Sequence, residues 1–378
     1  MHILCLHSSS DVYGASKIFL QTIVYLQSQG HKCTVVLSSK GPLTKSLEAN
    51  GVTVHIISLG VIRRKYFTPS GFYNRYQKWQ QAKKYIVAIH LQTPIDIIYS
   101  NTVAVWVGAM VKKEIEKNTQ QKIKHIWHVH EIINKPKILF KYIQTKLIKY
   151  ADVIIAVSNA VATSWNHPLL QQKMLVVYNG IFPIMMTKAP TYHISLNIPA
   201  DSIVIGMAGR IHFWKGQSYF IDIAKAFYDI DNNIINTTTK DKVYFIITGD
   251  AFYGYEYLER ELKEKITKLN LSKKVFLTGY ESNMDRFYRT IDILVLPSQQ
   301  PDPLPTVVLE AMQYRKPVIA TAQGGALEML DGASGILIPL DDAQKGAEAI
   351  VTLLSNDLRK NKGIAALQRV NTYFSVAT

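Results

Sequence analysis

The chain has 378 residues, 48% of them hydrophobic and 19% charged, which suits two or three globular domains and excludes a disordered or low-complexity protein. No apolar run approaches the ~20 residues of a membrane span, and the N-terminus, MHILCLHSS, reads as a strand rather than a signal peptide. The net charge of +15 is one-sided. Residues 1–190 hold 23 basic and 7 acidic side chains, whereas residues 191–378 hold 20 and 21. A basic first half implies an anionic partner: acidic lipid, a phosphorylated acceptor or nucleic acid.

In chain order, HILCLHSS, an amphipathic helix from about Ser16 to Gln29, and KCTVVLSS predict a β-α-β unit. Further strands follow at VTVHIISL, PIDIIYSN, HIWHVHE, DVIIAVS and MLVVYNG, mostly joined by segments of helical pattern. Cys5 and Cys33 fall in strands and read as buried, reduced thiols, consistent with a cytosolic compartment. A proline-marked segment after Gly180 reads as a linker. A second alternating series then begins: SIVIGMAGR, a helix over 217–228, KVYFIITGD, a helix over 256–269, KVFLTGY, a helix over 284–290, DILVLPS, a helix over 306–314, KPVIATA and GILIPL. The expectation is an α/β protein of two doubly wound domains, residues 1–182 and 201–378, joined by a linker at 183–200, with a ligand cleft between them.

The most informative stretch is SQQPDPLPTVVLEAMQYRKPVIATAQGGALE (298–328). Its loop leads into a helix whose first N–H groups, around Pro305, Thr306 and Val307, suit phosphate. Glu310, a turn into that helix, can accept from ribose hydroxyls. Asp302 in the loop can reach a group carried beyond the phosphates. A nucleotide sugar fits this layout. In AGRIHFWKGQ (208–217), Arg210 and Lys215 flank a βα loop and can neutralise a diphosphate, the alternative being a solvated basic loop. Gly14, after the first strand, either lets the backbone approach a ligand or is a plain turn. In KHIWHVHEI, His128 and His130 share a strand face and Glu131 points the other way. No neighbouring ligand completes a zinc set. His130 suits a sugar hydroxyl, and His128 suits the core. Asp229 and Asp231 form a DxD in a polar run and read as a solvated turn, so no metal is expected.

Two segments mix bases with aromatics, RRKYFTPSGFYNRYQKWQQAKKY (63–85) and KPKILFKYIQTKLIKY (135–150), the second with Ile138, Leu139, Tyr142, Ile143 and Leu147 on one side. Such helices either lie on an anionic membrane or pack an apolar face on the sheet. No nucleic-acid-binding motif is present.

VYGASK, HVHE, AVSNAV, VVYNGI, AGRIHFWKG, TGY, LPSQQPDPLPTVVLEAM and KPVIATAQGGALE, in this order, make the chain resemble the retaining glycosyltransferases of family four, of GT-B fold. The resemblance implies two Rossmann-like domains facing each other across a cleft, with the acceptor on the first and a UDP- or GDP-sugar donor on the second. It assigns Arg210 and Lys215 to the donor diphosphate and Glu310 to the ribose. Asp302, where the family commonly has Glu, would contact the sugar and stabilise the reacting centre. Thr306 and Val307 would offer N–H groups to phosphate. Gly279 and Tyr280 would lie near the base, His130 beside the transferred sugar, and Gly14 near phosphates or acceptor. Family members continue past an FS-type segment into a helix crossing back to the first domain. This sequence stops at TYFSVAT, so that helix is expected to be short or missing and domain closure looser. The expected activity is metal-independent, cofactor-free sugar transfer to a saccharide or lipid-linked acceptor in surface-polysaccharide assembly, in the cytoplasm or on the inner face of the membrane. The alternatives are a nucleotide-sugar epimerase or hydrolase on the same fold, or a weakly active membrane-bound partner subunit.

Overall fold

The computed structural model describes residues 1–376 apart from 63–65, 67, 134, 135, 185–189 and 253. Part of each basic and aromatic segment (63–65, 67 and 135), part of the expected linker (185–189) and the last two residues of the second domain thus lie outside the described residues. By its contacts the chain forms two compact units, Met1–Gly180 and Ile181–Thr378.

The first unit runs β1 (His2–His7), α1 (Gly14–Ser28), β2 (Lys32–Leu37), α2 (Pro42–Ala49), β3 (Thr53–Ile56), α3 (Pro69–Gln92), β4 (Ile97–Asn101), α4 (Val107–Thr119), β5 (Lys124–Val129), α5 (Lys137–Tyr150), β6 (Val153–Ala156), α6 (Asn159–Ser164), α7 (Pro168–Gln171) and β7 (Met174–Val176). Its strands form one parallel sheet in the order β3-β2-β1-β4-β5-β6-β7. A strand covered on both faces is apolar throughout, and β1 is buried at all six positions. Its residues alternate between two cores. Ile3 and Cys5 pack with Phe19, Ile23 and Val35 on one face, and Leu4 and Leu6 pack with Ile86, Ile98 and Val111 on the other. Both cysteines are free and buried. Strand order reverses between β1 and β4, which are paired with His7 opposite Asn101. A parallel sheet presents ligands at such a switch point, beyond the carboxyl ends of its strands.

The second unit runs α8 (Tyr192–Ser195), β8 (Ile203–Ala208), α9 (Gln217–Asp229), α10 (Thr237–Asp241), β9 (Val243–Thr248), α11 (Tyr257–Lys268), β10 (Val275–Gly279), α12 (Met284–Thr290), β11 (Ile293–Leu296), α13 (Thr306–Gln313), β12 (Val318–Thr321), α14 (Ala326–Met329), β13 (Gly335–Ile338), α15 (Ala343–Thr352) and α16 (Asn356–Tyr373). The parallel order is β10-β9-β8-β11-β12-β13, with the switch between β8 and β11. Its core joins Phe220, Phe227, Phe245, Ile247, Ile293 and Ile350. Within the stretch expected as linker, Tyr192 is buried and its N–H donates to Thr290 Oγ1 at 2.9 Å. The final helix, α16, packs against α13, and Phe374 beyond it accepts from the Ile181 N–H at 3.0 Å. Asp229 closes α9, and Asp231 is an exposed turn residue that accepts from Asn233 N–H at 2.9 Å.

Candidate functional site

Of the residues singled out from sequence, Gly14 and His130 belong to the first unit. Arg210, Lys215, Gly279, Tyr280, Asp302, Pro305, Thr306, Val307 and Glu310 belong to the second, and they gather at the carboxyl ends of its strands.

Arg210 follows β8, and its guanidinium lies 3.7 Å from the centre of the Phe252 ring. The buried Gln217, at the start of α9, holds the loop from inside. Its amide donates to Arg210 O at 3.0 Å, and its Oε1 accepts from His212 N–H at 3.3 Å. Lys215 closes a single 3-10 turn, Phe213–Lys215, ahead of Gly216. Gly216 has φ of +82°, and a Cβ there would lie 1.9 Å from Pro297 O. Glycine is thus required for the loop to bend back onto the end of β11. Across this turn the Lys215 ammonium pairs with the Asp302 carboxylate, both side chains being partly buried. The sequence reading gave these two charges to different parts of a ligand, whereas here they neutralise each other.

The Asp302 loop is braced from below. Asp302 O accepts from Gly325 N–H at 2.8 Å. Gly324 has φ of +58°, and a Cβ on it would sit 2.4 Å from that same carbonyl oxygen. The Gly-Gly turn therefore carries the loop. The loop ends at Pro305, which precedes α13 without any side-chain cap. An uncapped helix start leaves the first-turn N–H groups of Thr306 and Val307 directed at whatever lies beyond it. One turn on, Glu310 is buried and accepts from Tyr288 Oη at 2.9 Å. Burial, and then the Glu310 charge, push the Tyr288 phenol well above its ordinary value, so it serves as a neutral donor. Gly279 ends β10 with φ of +73°, and Tyr280 beside it is 59% exposed.

In the first unit, Gly14 opens α1 with φ of +28°. His130 follows β5 directly. Its Nε2 lies 2.8 Å from Asn101 Oδ1, and Asn101 in turn bonds His7. His128 is buried with Nδ1 bonded to the Tyr99 hydroxyl, and its buried Nε2 has no hydrogen-bond partner among the described residues. Glu131 accepts from the N–H groups of Val103 and His130, at 3.3 and 3.0 Å. Desolvation nevertheless pushes its carboxyl up to about 7. Residue reading missed His7, Asn101, Gln217 and Tyr288. His7 and Asn101 did carry a signal: each is a polar residue ending an apolar parallel strand. Gln217 opens α9 and Tyr288 lies within α12, and neither is charged or at a strand end.

The same unit carries a groove of about 450 Å³ along α4, between α3 and α5. Trp79 stacks on Trp106 at 5.8 Å, and Tyr142 meets Trp106 at 4.9 Å. Lys83, Lys113, Lys117 and Lys146 also line it, and its one carboxylate, Glu114, is paired with Lys83. The apolar side expected for α5 is only half formed: Ile143 and Leu147 are buried, but Ile138 is 85% exposed. Among the described residues, no helix is long and apolar enough to cross a membrane, and no group of three or more His, Cys, Asp or Glu gathers as a metal set.

Two Rossmann-like units of this kind define the GT-B fold. Residues 12–183 match the family model described as Glycosyltransferase Family 4, and residues 189–369 match that of Glycosyl transferases group 1. The chain belongs to the GT-B glycosyltransferases. It is 26% identical, over 61% of its length and 63% of the relative's, to the lipopolysaccharide core biosynthesis mannosyltransferase LpsB of Rhizobium meliloti. It is 30% identical, over 47% and 44%, to an Escherichia coli UDP-Gal:alpha-D-GlcNAc-diphosphoundecaprenol alpha-1,3-galactosyltransferase. It thus spans less than two thirds of these relatives' lengths. Among solved structures, Anabaena Alr3699/HepE in complex with UDP and glucose superposes with a TM-score of 0.81 at 23% identity, over 99% of this chain and 96% of that one.

Proposed function

We propose that this chain transfers a glycosyl group, with retention and without a metal, from a UDP-sugar to a saccharide or lipid-linked acceptor in surface-polysaccharide assembly. The observation that carries the proposal is the gathering of Arg210, Lys215, Asp302, Glu310 and the uncapped start of α13 along one sheet edge. Loss of a nucleoside diphosphate from a sugar builds negative charge on phosphate and positive charge on the anomeric carbon. Arg210, Lys215 and the α13 N–H groups stabilise the first. Asp302, released from Lys215 when a diphosphate takes that ammonium, is a carboxylate for the sugar. Glu310, oriented by Tyr288, holds the ribose, Gly279 and Tyr280 flank the base, and Gly14 and His130 serve the acceptor and the transferred sugar. The galactosyltransferase relative and the HepE complex favour UDP over GDP.

The +16 excess of residues 1–190 and the lysine- and aromatic-lined groove along α4 support contact with an anionic membrane face, where a lipid-linked acceptor would reside. The test of the donor site is calorimetric titration with UDP and GDP, followed by transfer assays. UDP is expected to bind, and Arg210→Ala and Lys215→Ala are each expected to lower transfer by at least ~100-fold. Unchanged UDP affinity and turnover in both variants would sink the assignment.

A further inference from the structure

Asp11, Ser16, His7, Asn101 and His130 form one unbroken hydrogen-bonded line at the carboxyl ends of β1, β4 and β5. Ser16 Oγ lies 3.0 Å from Asp11 Oδ1 and 2.9 Å from His7 Nε2. Asn101 Nδ2 lies 2.9 Å from His7 Nδ1, and Asn101 Oδ1 lies 2.8 Å from His130 Nε2. The three middle members are buried and cannot turn to water, whereas Asp11 and His130 at the ends are partly exposed.

Counting donors and acceptors gives the line a direction. An ionised carboxylate only accepts, so the Ser16 hydroxyl gives its one proton to Asp11. The Ser16 oxygen then accepts from His7, which places the single proton of that neutral ring on Nε2 and leaves Nδ1 bare. The bare nitrogen accepts from the Asn101 amide NH2, which turns the amide oxygen toward His130. That oxygen only accepts, so His130 carries its proton on Nε2 and its lone pair on Nδ1. The opposite direction would set the Ser16 and Asp11 oxygens against each other as two acceptors. Burial favours the neutral form of both rings, which the count requires.

We propose that Asp11 sets the tautomer of His130 through Ser16, His7 and Asn101, so that Nδ1 of His130 is held as a hydrogen-bond acceptor for a ligand hydroxyl. The four residues are positioning residues for His130. A bare nitrogen takes O–H donors, such as those of a sugar or polyol, and disfavours phosphate oxygens. The choice of a sugar hydroxyl rests on the glycosyl-transfer reading above, whereas the tautomer does not.

The experiment is nitrogen-15 spectroscopy of the full chain labelled in histidine, with His130 assigned by its loss in His130→Gln. The Nε2–H tautomer is expected in at least about tenfold excess, as a mismatched buried hydrogen bond would enforce. Asp11→Ala and, independently, Ser16→Ala are expected to bring the two tautomers to within about threefold of each other, with the circular dichroism unchanged. A His130 protonated on Nδ1 or on both nitrogens, or a tautomer ratio untouched by both variants, would overturn the proposal. The ligand class is read on the same sample. Glucose alone should shift the bare Nδ1 resonance and inorganic phosphate alone should not. A response to phosphate, or to neither, would overturn the hydroxyl assignment. Failure of UDP to bind in calorimetry would count against the donor reading only, because the tautomer is measured without nucleotide.

Discussion

Tyr288 shows how a single hydroxyl supports the proposed donor site. Its Oη reaches Glu310 at 2.9 Å inside the protein, and the phenol stacks on Tyr314. Tyr288→Phe keeps the ring and removes the donor, so a buried carboxylate loses a partner. Such a loss costs about 1–3 kcal/mol. The expected outcome is a destabilisation of that order in denaturant titration, together with weaker binding of UDP. A variant as stable as the parent, with full UDP affinity, would show that Glu310 does not depend on this bond. Lys215 and Asp302 differ from this pair, because each is partly exposed and each is the other's partner. Their pairing sets one charge against the other. Residue types alone marked Arg210, Lys215, Asp302 and Glu310, since charge at a sheet edge is chemically conspicuous. They could not reveal that two of the four face each other.

At the scale of elements, the helix periodicities were legible and their surroundings were not. The helix over 284–290 stands where the pattern put it, and α13 differs from its expected span by one residue. The amphipathic pattern of 135–150 likewise gave a helix, but pattern alone could not say which apolar residues would be covered. α5 buries Ile143 and Leu147 and leaves Ile138 and Tyr142 outside. The resulting groove along α4 makes the membrane proposal directional. Lys113 and Lys117 are exposed on α4 and line the groove, whereas Lys45 is an exposed lysine on α2. α2 packs with the core on the opposite face of the sheet. Each lysine near an anionic surface contributes about 1 kcal/mol. Lys113→Glu with Lys117→Glu is therefore expected to weaken sedimentation with phosphatidylglycerol vesicles at least about thirtyfold, and Lys45→Glu to leave it nearly unchanged. Equal losses from both faces would mean that diffuse charge, not the groove, makes the contact.

Across the whole molecule, polar burial is uneven, and it has a consequence in pH. Burial lowers His7 and His125 to about 4 and His128 to about 3, from an ordinary 6.5. As pH falls through 6.5 the unfolded chain takes up protons that the native one refuses. Stability from these groups is therefore full above 6.5 and is lost toward 4. Glu131 has the opposite sign. Its carboxyl is raised from 4.5 to about 7, so its contribution is full below 4.5 and is lost as pH rises through 7. Three imidazoles outweigh one carboxyl on the acid side. The melting temperature read by calorimetry should fall as pH drops from 6.5 to about 4, and Glu131→Gln should raise it more above pH 7 than below 4.5. A flat profile across the acid window would mean that these rings are solvated.

The sequence by itself determined the two alternating β/α series, the short apolar strands and the charged residues at their ends, because those follow from local periodicity and residue chemistry. It marked His130, two positions beyond His128 at the end of an apolar strand. Only the tertiary structure decided that β1 and β4 lie side by side. That adjacency joins His7 to Asn101 across 94 positions of chain and completes the line from Asp11 to His130. In the same way, only the fold of the Gly324–Gly325 turn under the Asp302 loop shows why those glycines are there. The physical reason is that strand order in a parallel sheet is set by crossover packing over the whole unit, which no local window of sequence contains.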